Sequence, residues 1–458
     1  MKQNFLRWSV VLVASVLAVS AVSAQETNDV EQLRKELREM RERVQVMEQK
    51  LGSIEQKPAA PVDSLAKPTD ALRVSKSGTY MDIGMVATFA AGGSTASDVQ
   101  GGTQLGGHDP NQRGITVQGA ELNLQGAVDP YFRGNANILF QLDSSGDSFI
   151  ELEEAWLETT SLPGNVQIRA GQYLTEFGRI NTQHPHSWGF VDAPLVSGRL
   201  LGEDGLRNPG ARFSWLAPTP FYSEIFFGVQ NSQGGTAGSF RNDHGGDGFL
   251  GRINNQDRVR SIGDMLYTTR YATSFDLTDT QTLLAGASAA FGPNGSSANA
   301  DTQIYGVDVY WKWKPSNSHA GFPFVSWQTE GMLRRYQAGA STTFDLTGDS
   351  VADFVPRETL TDWGFYSQLL YGFRPGWVVG LRGDYVTRTK LAAYEKLYGA
   401  DTERATRWRI SPNLTWYPSE FSKLRLQYNY DDRDGKGDDH SVWLQFELLL
   451  GAHAAHKF

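Results

Sequence analysis

The chain has 458 residues, contains no cysteine and carries a formal net charge of −9 at pH 7. The absence of cysteine excludes disulfides, thiolate metal sites and cysteine nucleophiles. The acidic charge balance argues against a nucleic-acid partner, since such partners require basic surfaces. Glycine contributes 48 residues and aromatic side chains 12%, a composition that favours strands and turns over helices.

Residues 1–24 have the pattern of a secretory signal peptide. Lys2 and Arg7 precede a short apolar stretch, and small residues follow it up to Ala24. A basic start, a short apolar core and a small-residue end are the features of an export signal. We therefore expect cleavage near Ala24 and export of the mature chain.

Residues 25–57 predict a coiled-coil helix, followed by a Pro/Ala-rich linker at 58–78. Apolar residues recur at alternating steps of three and four, at Val30, Leu33, Leu37, Met40, Val44, Met47, Leu51 and Ile54. Such a heptad seam favours self-association, and the residues that flank it form pairs of opposite charge. We expect a homo-oligomer, a trimer, held together through this seam. The alternative is an amphipathic helix that lies on the surface of the domain that follows.

Residues 79–458 predict sixteen strands, because apolar and polar residues alternate between turn signals. The predicted strands are 79–90, 113–127, 131–142, 149–160, 166–173, 211–217, 222–230, 265–275, 281–291, 302–313, 324–335, 361–373, 377–388, 405–416, 422–431 and 441–458. Their connections are alternately short and long, as in an up-and-down barrel with one tight rim and one rim of long loops.

The polar faces of these strands distinguish a membrane barrel from a soluble sandwich. In 405–416, Arg407 and Arg409 lie on the face opposite Trp408 and Ile410. Charged side chains on an inner face suit a water-filled lumen and would be costly in a dry sandwich core. We therefore predict an all-β fold, a transmembrane up-and-down antiparallel β-barrel of about 16 strands that spans residues 79–458.

The order of signal peptide, coiled coil, linker and barrel resembles outer-membrane porins of the phosphate-selective type. Segments 169–173 (RAGQY) and 176–178 (EFG) are similar to the strand-and-loop motif of that group. The resemblance implies a trimeric channel in contact with outer-membrane lipid and lipopolysaccharide. Segments 183–192 (QHPHSWGFVD) and 451–458 (GAHAAHKF) also resemble uncharacterised envelope proteins labelled TonB-dependent receptors. That label implies an N-terminal plug and a larger barrel.

The longest predicted connection, 174–210, is the third long one, and we expect it to fold inward and narrow the pore. Fixed charges at such a constriction would select solutes by field as well as by size. Its candidate solute-contacting residues are Arg179, Arg199 and Arg207. The alternative is an external loop that packs on its neighbours.

Three adjacent predicted strands, 377–388, 405–416 and 422–431, place cations on the lumenal face. These residues are Arg382, Arg407, Arg409, Lys423 and Arg425. A row of cations along one wall would attract anions and offer them successive weak contacts. The alternatives are a preference for cations and a lumen of mixed charge without a marked preference.

No cofactor and no catalytic residue are predicted. His184 and His186 are weak candidates for metal ligands, since imidazole binds zinc or copper, but histidines without a metal are common in loops. The sequence contains no nucleophile elbow, no zincin helix motif and no phosphate-binding glycine loop, so we do not expect an enzyme.

The sequence thus predicts an outer-membrane porin for the passive diffusion of small hydrophilic solutes, mainly anions. Three alternatives stay open. One is a plug-less relative of TonB-dependent receptors that takes up metal ions or a specific nutrient, and another is a structural tether of the cell envelope. The third is a barrel enzyme, which would need a convergent set of acid–base or nucleophilic residues on one rim.

Overall fold

The computed structural model describes residues 72–76, 79–127, 129–242, 249–254, 258–344, 351 and 353–451. The predicted signal peptide, the coiled coil and most of the linker lie outside these residues, as does the end of the last predicted strand. No helix in the described part of the chain is long and apolar enough to cross a membrane.

The described residues form nineteen strands and two short α-helices. The strands are β1 (Leu72–Lys76), β2 (Thr79–Ser94), β3 (Gly114–Ala127), β4 (Phe132–Leu142), β5 (Ser148–Thr159), β6 (Val166–Leu174), β7 (Arg207–Leu216), β8 (Tyr222–Asn231), β9 (Met265–Thr278), β10 (Gln281–Pro293), β11 (Asp301–Trp313), β12 (Phe324–Ala338), β13 (Ser341–Phe344), β14 (Asp353–Val355), β15 (Glu358–Arg374), β16 (Trp377–Arg388), β17 (Arg407–Ser419), β18 (Ser422–Arg433) and β19 (Gly437–Gly451). The helices are α1 (Leu195–Leu200) and α2 (Ala393–Tyr398), and 3-10 turns lie at Pro163–Asn165, Ile180–Thr182, Pro185–Ser187 and Ile262–Asp264.

Sixteen of these strands, β2–β12 and β15–β19, form one closed antiparallel barrel. Each strand pairs with its neighbour along the chain, and β19 closes the barrel on β2 from Ser441↔Ser94 to Gly451↔Gly84. Closure pairs every strand on both sides, which a membrane-spanning sheet requires because lipid offers no hydrogen bonds. The sixteen predicted strands and the predicted fold class are confirmed.

Three strands are not among the sixteen that form the closed barrel. Strand β1 forms a hairpin with the first residues of β2, from Leu72↔Ile83 to Lys76↔Thr79. It continues the line of β19, whose described pairing with β2 ends at Gly84, and so covers the remaining edge of β2. Residues 72–76 were assigned to the linker, because five residues are too few to establish an alternation. Strands β13 and β14 form a separate two-stranded sheet in the connection between β12 and β15.

The outer face of the barrel is apolar. In β19, Val442, Leu444 and Phe446 are exposed, whereas Gln445 and Glu447 between them are buried inside. Every barrel strand carries at least one large apolar side chain that is exposed in the same way. A water-soluble protein rarely exposes so extended an apolar surface, so this belt fits lipid. Trp377 and Trp416 stack with their ring centroids 5.8 Å apart at the short-turn rim, where interfacial aromatic residues belong.

Candidate functional site in the barrel lumen

The connection between β6 and β7, residues 175–206, lies inside the barrel; we call it the inward loop. Its side chains Phe177, Val196 and Leu200 are fully buried, because they pack against inner-face residues of the wall such as Met332 and Tyr366. These apolar residues would be exposed if the loop lay outside. The inward loop and the wall from β9 to β16 thus form a dry core on one side of the lumen.

The inward loop is fixed where it enters the lumen by one carboxylate. Glu330 on β12 accepts hydrogen bonds from the backbone N–H groups of Arg179 at 2.9 Å and Ile180 at 2.7 Å. Gly178 precedes them with φ +61°, and a Cβ there would lie 2.2 Å from Glu330 Oε2. Only glycine combines this left-handed conformation with so close an approach.

The middle of the inward loop is fixed by Asp192, whose side chain is fully buried. Its carboxylate binds Arg382 at 2.7 Å and Arg409 at 3.0 Å, and accepts hydrogen bonds from Gln427 at 2.9 Å and Asn429 at 3.0 Å. Burial alone would raise the pKa of Asp192, but the two guanidinium groups outweigh burial and lower it. Asp192 therefore ties the loop to three neighbouring strands, β16, β17 and β18.

The opposite side of the lumen, along β2–β5, is lined by side chains with polar groups. A cavity of about 320 Å³, which we call the vestibule, lies there close to the turn between β3 and β4. It is lined by Tyr80, Asp82, Asn123, Gln125, Gly126, Arg133, Gly134, Asn135, Asn137, Glu154, Trp156 and His184. Apart from Gly126 and Gly134, every lining residue has a side chain with a polar group, as a path for hydrophilic solutes requires.

The vestibule ends at a cluster of glutamates and histidines. His184 Nε2 lies 3.1 Å from Glu154 Oε2, and His184 Nδ1 lies 3.5 Å from both Glu121 Oε1 and Glu153 Oε2. Burial alone would lower the pKa of His184, but the neighbouring carboxylates outweigh burial and raise it well above its usual value. Two cavities that border the cluster have volumes of only about 20 and 40 Å³, far smaller than the vestibule.

Two more histidines adjoin this cluster. His186 Nδ1 lies 3.4 Å from Glu121 Oε2, and His108 Nε2 lies 3.3 Å from Glu153 Oε1. His184 and His186 enter the lumen with connection 174–210, for which the sequence predicted an inward course, and the connection before β3 brings His108 inward as well.

A β-bulge brings two glutamates of the cluster to the same face. The register between β4 and β5 shifts so that Asn137 opposes Glu154 while Ile138 opposes Leu152, which leaves Glu153 as the extra residue. Glu153 and Glu154 can therefore both point inward, although strict alternation would separate them. These two residues were not among those that the sequence predicted for the site. The only signal was the two adjacent glutamates in a strand that otherwise alternates.

No protein-family model matches the chain. A protein of Aquifex aeolicus (strain VF5), described only as uncharacterized, is 32% identical over 377 residues, which cover 77% of this chain and 73% of that protein. The chain belongs to the family of that protein. Among solved structures, the fold is similar to that of the outer membrane channel DcaP of Acinetobacter baumannii, with a TM-score of 0.54 and 14% identity over 82% of this chain and 99% of that chain.

The comparison confirms the porin-type barrel that the sequence predicted. The likeness to DcaP is one of fold, since the identity is low. The coiled coil lies outside the described residues, and the resemblance to TonB-dependent receptors stays a prediction.

In this porin-type barrel, the five predicted lumenal cations do face inward, but each has a partner. Arg407 binds Asp431 at 2.5 Å and the carbonyl oxygen of Gly102 at 2.8 Å. Lys423 binds Glu447 at 2.7 Å, and Arg425 donates to Gln445 at 3.1 Å. With Arg382 and Arg409, all five are at most 5% exposed. They hold the inward loop and the wall together, so the predicted open row of cations is not what the structure shows.

The three cations predicted on the inward loop are separated from one another. Arg179 lies over the ring of Tyr310 at 4.0 Å, and Arg199 donates to the carbonyl oxygen of Ala405 at 2.8 Å. Arg207 is the first residue of β7 and pairs with Glu151. The structure therefore does not gather them at one constriction.

Proposed function

We propose that this protein is an outer-membrane channel, without catalytic activity of its own, through which small hydrophilic solutes diffuse. The observation that carries this proposal is the vestibule of about 320 Å³, a polar cavity inside a closed barrel whose outer face is apolar. The fold shared with an outer membrane channel supports the same function. The path follows the wall from β2 to β5, because the inward loop fills the other side with apolar side chains.

Size is restricted at the cluster of glutamates and histidines. The adjoining cavities of about 20 and 40 Å³ have room for one or a few water molecules, so only small solutes fit while the inward loop stays in place. A larger solute would require the loop to move, which the contacts of Asp192 and Glu330 oppose.

The charges along this path favour cations over the anions that the sequence suggested. An anion preference would need unpaired cations within reach of the solute, and the five lumenal cations are all bound to acidic or amide oxygen atoms. Arg133 in the vestibule is 53% exposed along its side chain, yet it pairs with Glu158. Glu154 lines the inner end of the vestibule, next to Glu121 and Glu153.

Planar-bilayer recording of the purified mature protein tests both parts of the proposal. We expect stable conductance steps and, under a KCl gradient, a reversal potential on the cation-selective side. An anion-selective reversal potential would contradict the cation preference and support an effect of the five lumenal cations on permeating ions. A silent bilayer would contradict the channel and favour the closed-transporter or tether alternatives.

We also propose that the channel is a homotrimer in contact with outer-membrane lipid and lipopolysaccharide. Support for the trimer comes from the heptad seam between Val30 and Ile54. Cross-linking of the full-length protein in membranes should give trimers. Replacing Leu37 and Val44 together by aspartate should reduce the trimers to monomers, because charges at core positions of a coiled coil are not tolerated.

A further inference from the structure

We propose that Glu121, Glu153 and His184 form a binding site for one divalent transition-metal ion of the zinc class. Each residue comes from a different element, β3, β5 and the inward loop. One ligand atom of each lies within 4.8 Å of the other two. The inference goes beyond the channel function and does not depend on it.

The spacing of the three atoms fits metal ligands better than hydrogen-bond partners. His184 Nδ1 is 3.5 Å from Glu121 Oε1 and 3.5 Å from Glu153 Oε2. A hydrogen bond between such groups would be shorter, at about 2.7–2.9 Å. Metal–ligand bonds of about 2.0–2.2 Å in a tetrahedron, in contrast, separate neighbouring ligand atoms by about 3.3–3.6 Å.

Two of these atoms are buried without a hydrogen bond in the described part of the chain. They are His184 Nδ1 and Glu153 Oε2, and the Glu153 residue is only 3% exposed. A buried polar atom without a partner costs about 1–3 kcal/mol, and more if it is charged. A bound cation would satisfy both atoms and would offset the carboxylate charge.

The surroundings of His184 leave Nδ1 available to a metal. Its other ring nitrogen, Nε2, lies 3.1 Å from Glu154 Oε2. Asn137 Nδ2 lies 2.8 Å from the same ring nitrogen. A proton on Nε2 that is donated to Glu154 requires the Asn137 amide to turn its oxygen toward the ring, and it leaves the lone pair of Nδ1 directed at Glu121 and Glu153. A metal-binding imidazole commonly donates its other ring N–H to a carboxylate, which holds the ring in place. Glu154 is thus a positioning residue, and the bulge at Glu153 allows both glutamates to act on one ring.

The ligand set and the nearby space indicate which ion is bound. One imidazole nitrogen and two carboxylate oxygens suit Zn²⁺ and its first-row neighbours better than soft ions that prefer thiolates. Three protein ligands leave a fourth position, and the adjoining cavity of about 20 Å³ has room for one water molecule. The vestibule reaches both His184 and Glu154, so an ion could enter from that side.

The rival explanation is that a protonated His184 merely forms ion pairs with the glutamates. Metal binding by the tag-free, full-length mature protein in detergent separates the two explanations. After EDTA treatment and dialysis, we expect calorimetric titration with ZnCl₂ to give one site per chain. Co²⁺ should produce visible absorption bands of a nitrogen- and oxygen-coordinated ion. No saturable Zn²⁺ binding and no Co²⁺ bands would overturn the proposal and support the rival.

Variants identify the ligands. Glu153→Gln should weaken Zn²⁺ binding by more than about 100-fold, and the positioning variant Glu154→Gln by about 10–100-fold. Glu224→Gln is the matched control, because Glu224 lies on β8, which pairs with neither β3 nor β5, and its carboxylate accepts a hydrogen bond from Tyr222 at 2.8 Å. Unchanged affinity in Glu153→Gln would overturn the assignment. If that variant fails to fold, the Co²⁺ spectrum of the unaltered protein still decides.

Zn²⁺ binding and bilayer recording test the metal site and the channel function separately. A protein that conducts in EDTA but binds no Zn²⁺ would refute the site alone. A protein that binds Zn²⁺ but leaves the bilayer silent would refute the channel alone.

Discussion

Asp192 of the inward loop and Arg409 of β17 form an ion pair of 3.0 Å inside the barrel, although 217 positions separate them in the sequence. Arg409 also binds Asp431 at 2.8 Å, so one guanidinium links the loop to two strands of the wall. This link explains why a lumenal arginine can be structural rather than a contact for solutes.

Asp192→Asn should loosen the inward loop. The substitution removes a buried negative charge that two arginines share, and breaking such a pair costs about 3–5 kcal/mol. We expect a lower unfolding temperature and a larger channel conductance. Heat-dependent mobility in SDS gels and bilayer recording measure the two effects.

The matched control is Asp143→Asn. Asp143 is an acidic loop residue whose hydrogen bonds stay within its own turn, for example to Ser145 at 2.7 Å. Asp143→Asn should change neither the unfolding temperature nor the channel conductance. Equal behaviour of the two variants would contradict the role of Asp192 as an anchor.

Asp109 should make stability depend on pH. Its carboxylate accepts hydrogen bonds from the N–H groups of Ala193 at 2.7 Å and Gly106 at 2.8 Å. Burial, and then the negative charge of Asp192, raise the pKa of Asp109 to about 7. The pKa of an aspartate in an unfolded chain is about 3.9, so the folded protein binds the proton on Asp109 more tightly than the unfolded chain does.

The stabilisation from that proton is complete below about pH 4 and is lost as pH rises to about 7. Asp109→Asn should remove this decline, because asparagine does not titrate. Unfolding temperatures of both proteins at several values between pH 4 and pH 8 test the prediction. Parallel curves for the two proteins would show that another group is responsible.

Gly306→Val should push the inward loop away from the wall. A Cβ at Gly306 on β11 would lie 2.9 Å from Phe177 Cε1, so the buried ring would have to move. Overpacking of this kind costs about 1–3 kcal/mol. We expect a lower unfolding temperature together with larger or less stable conductance steps.

Gly331→Val on the adjacent strand β12 is the control for this variant. Gly331 is not on the inner face, and a Cβ there would lie 3.8 Å from its nearest neighbour, at an ordinary contact distance. The control should behave like the unaltered protein. If Gly306→Val also has the unfolding temperature and conductance of the unaltered protein, the packing of Phe177 does not hold the inward loop in place.

Asn135→Trp should narrow the conducting path. Asn135 lines the vestibule, and an indole there would occupy much of its volume of about 320 Å³. We expect single-channel conductance to fall by roughly half or more, because the pore radius limits ion flow. Leu157→Trp on the outer face of β5 places the same side chain against lipid and should leave the conductance unchanged. Equal conductance in both variants would place the path elsewhere in the barrel.

The barrel could be predicted from the sequence because each strand has one lipid-facing and one lumenal face. That alternation is local, and it recurs in every one of the sixteen strands. The start of β7 was placed four residues late, at 211 rather than Arg207, because Pro209 and Gly210 have the composition of a turn. Their pairing with β6 is a tertiary effect that composition does not reveal.

The site was predictable only in outline. The sequence identified the inward loop, the lumenal cations and His184, but not their partners. Arg382 and Asp192 are 190 positions apart, so no local pattern reveals that they bind. The glutamate cluster depends on the bulge at Glu153, which is a change of register between two strands and leaves little trace in the sequence.

The distribution of the contacts of the inward loop also determines the order in which the molecule can assemble. Gln118 on β3 donates to the carbonyl oxygen of Val191 at 3.0 Å, whereas Asn429 on β18 reaches Asp192 from 237 positions away. Until β16–β18 have been added, the apolar side chains of the loop have no complete wall to cover them. Contacts of such high sequence separation form slowly. We therefore expect the inward loop to be fixed in the lumen late in folding, once β16–β18 have joined the barrel.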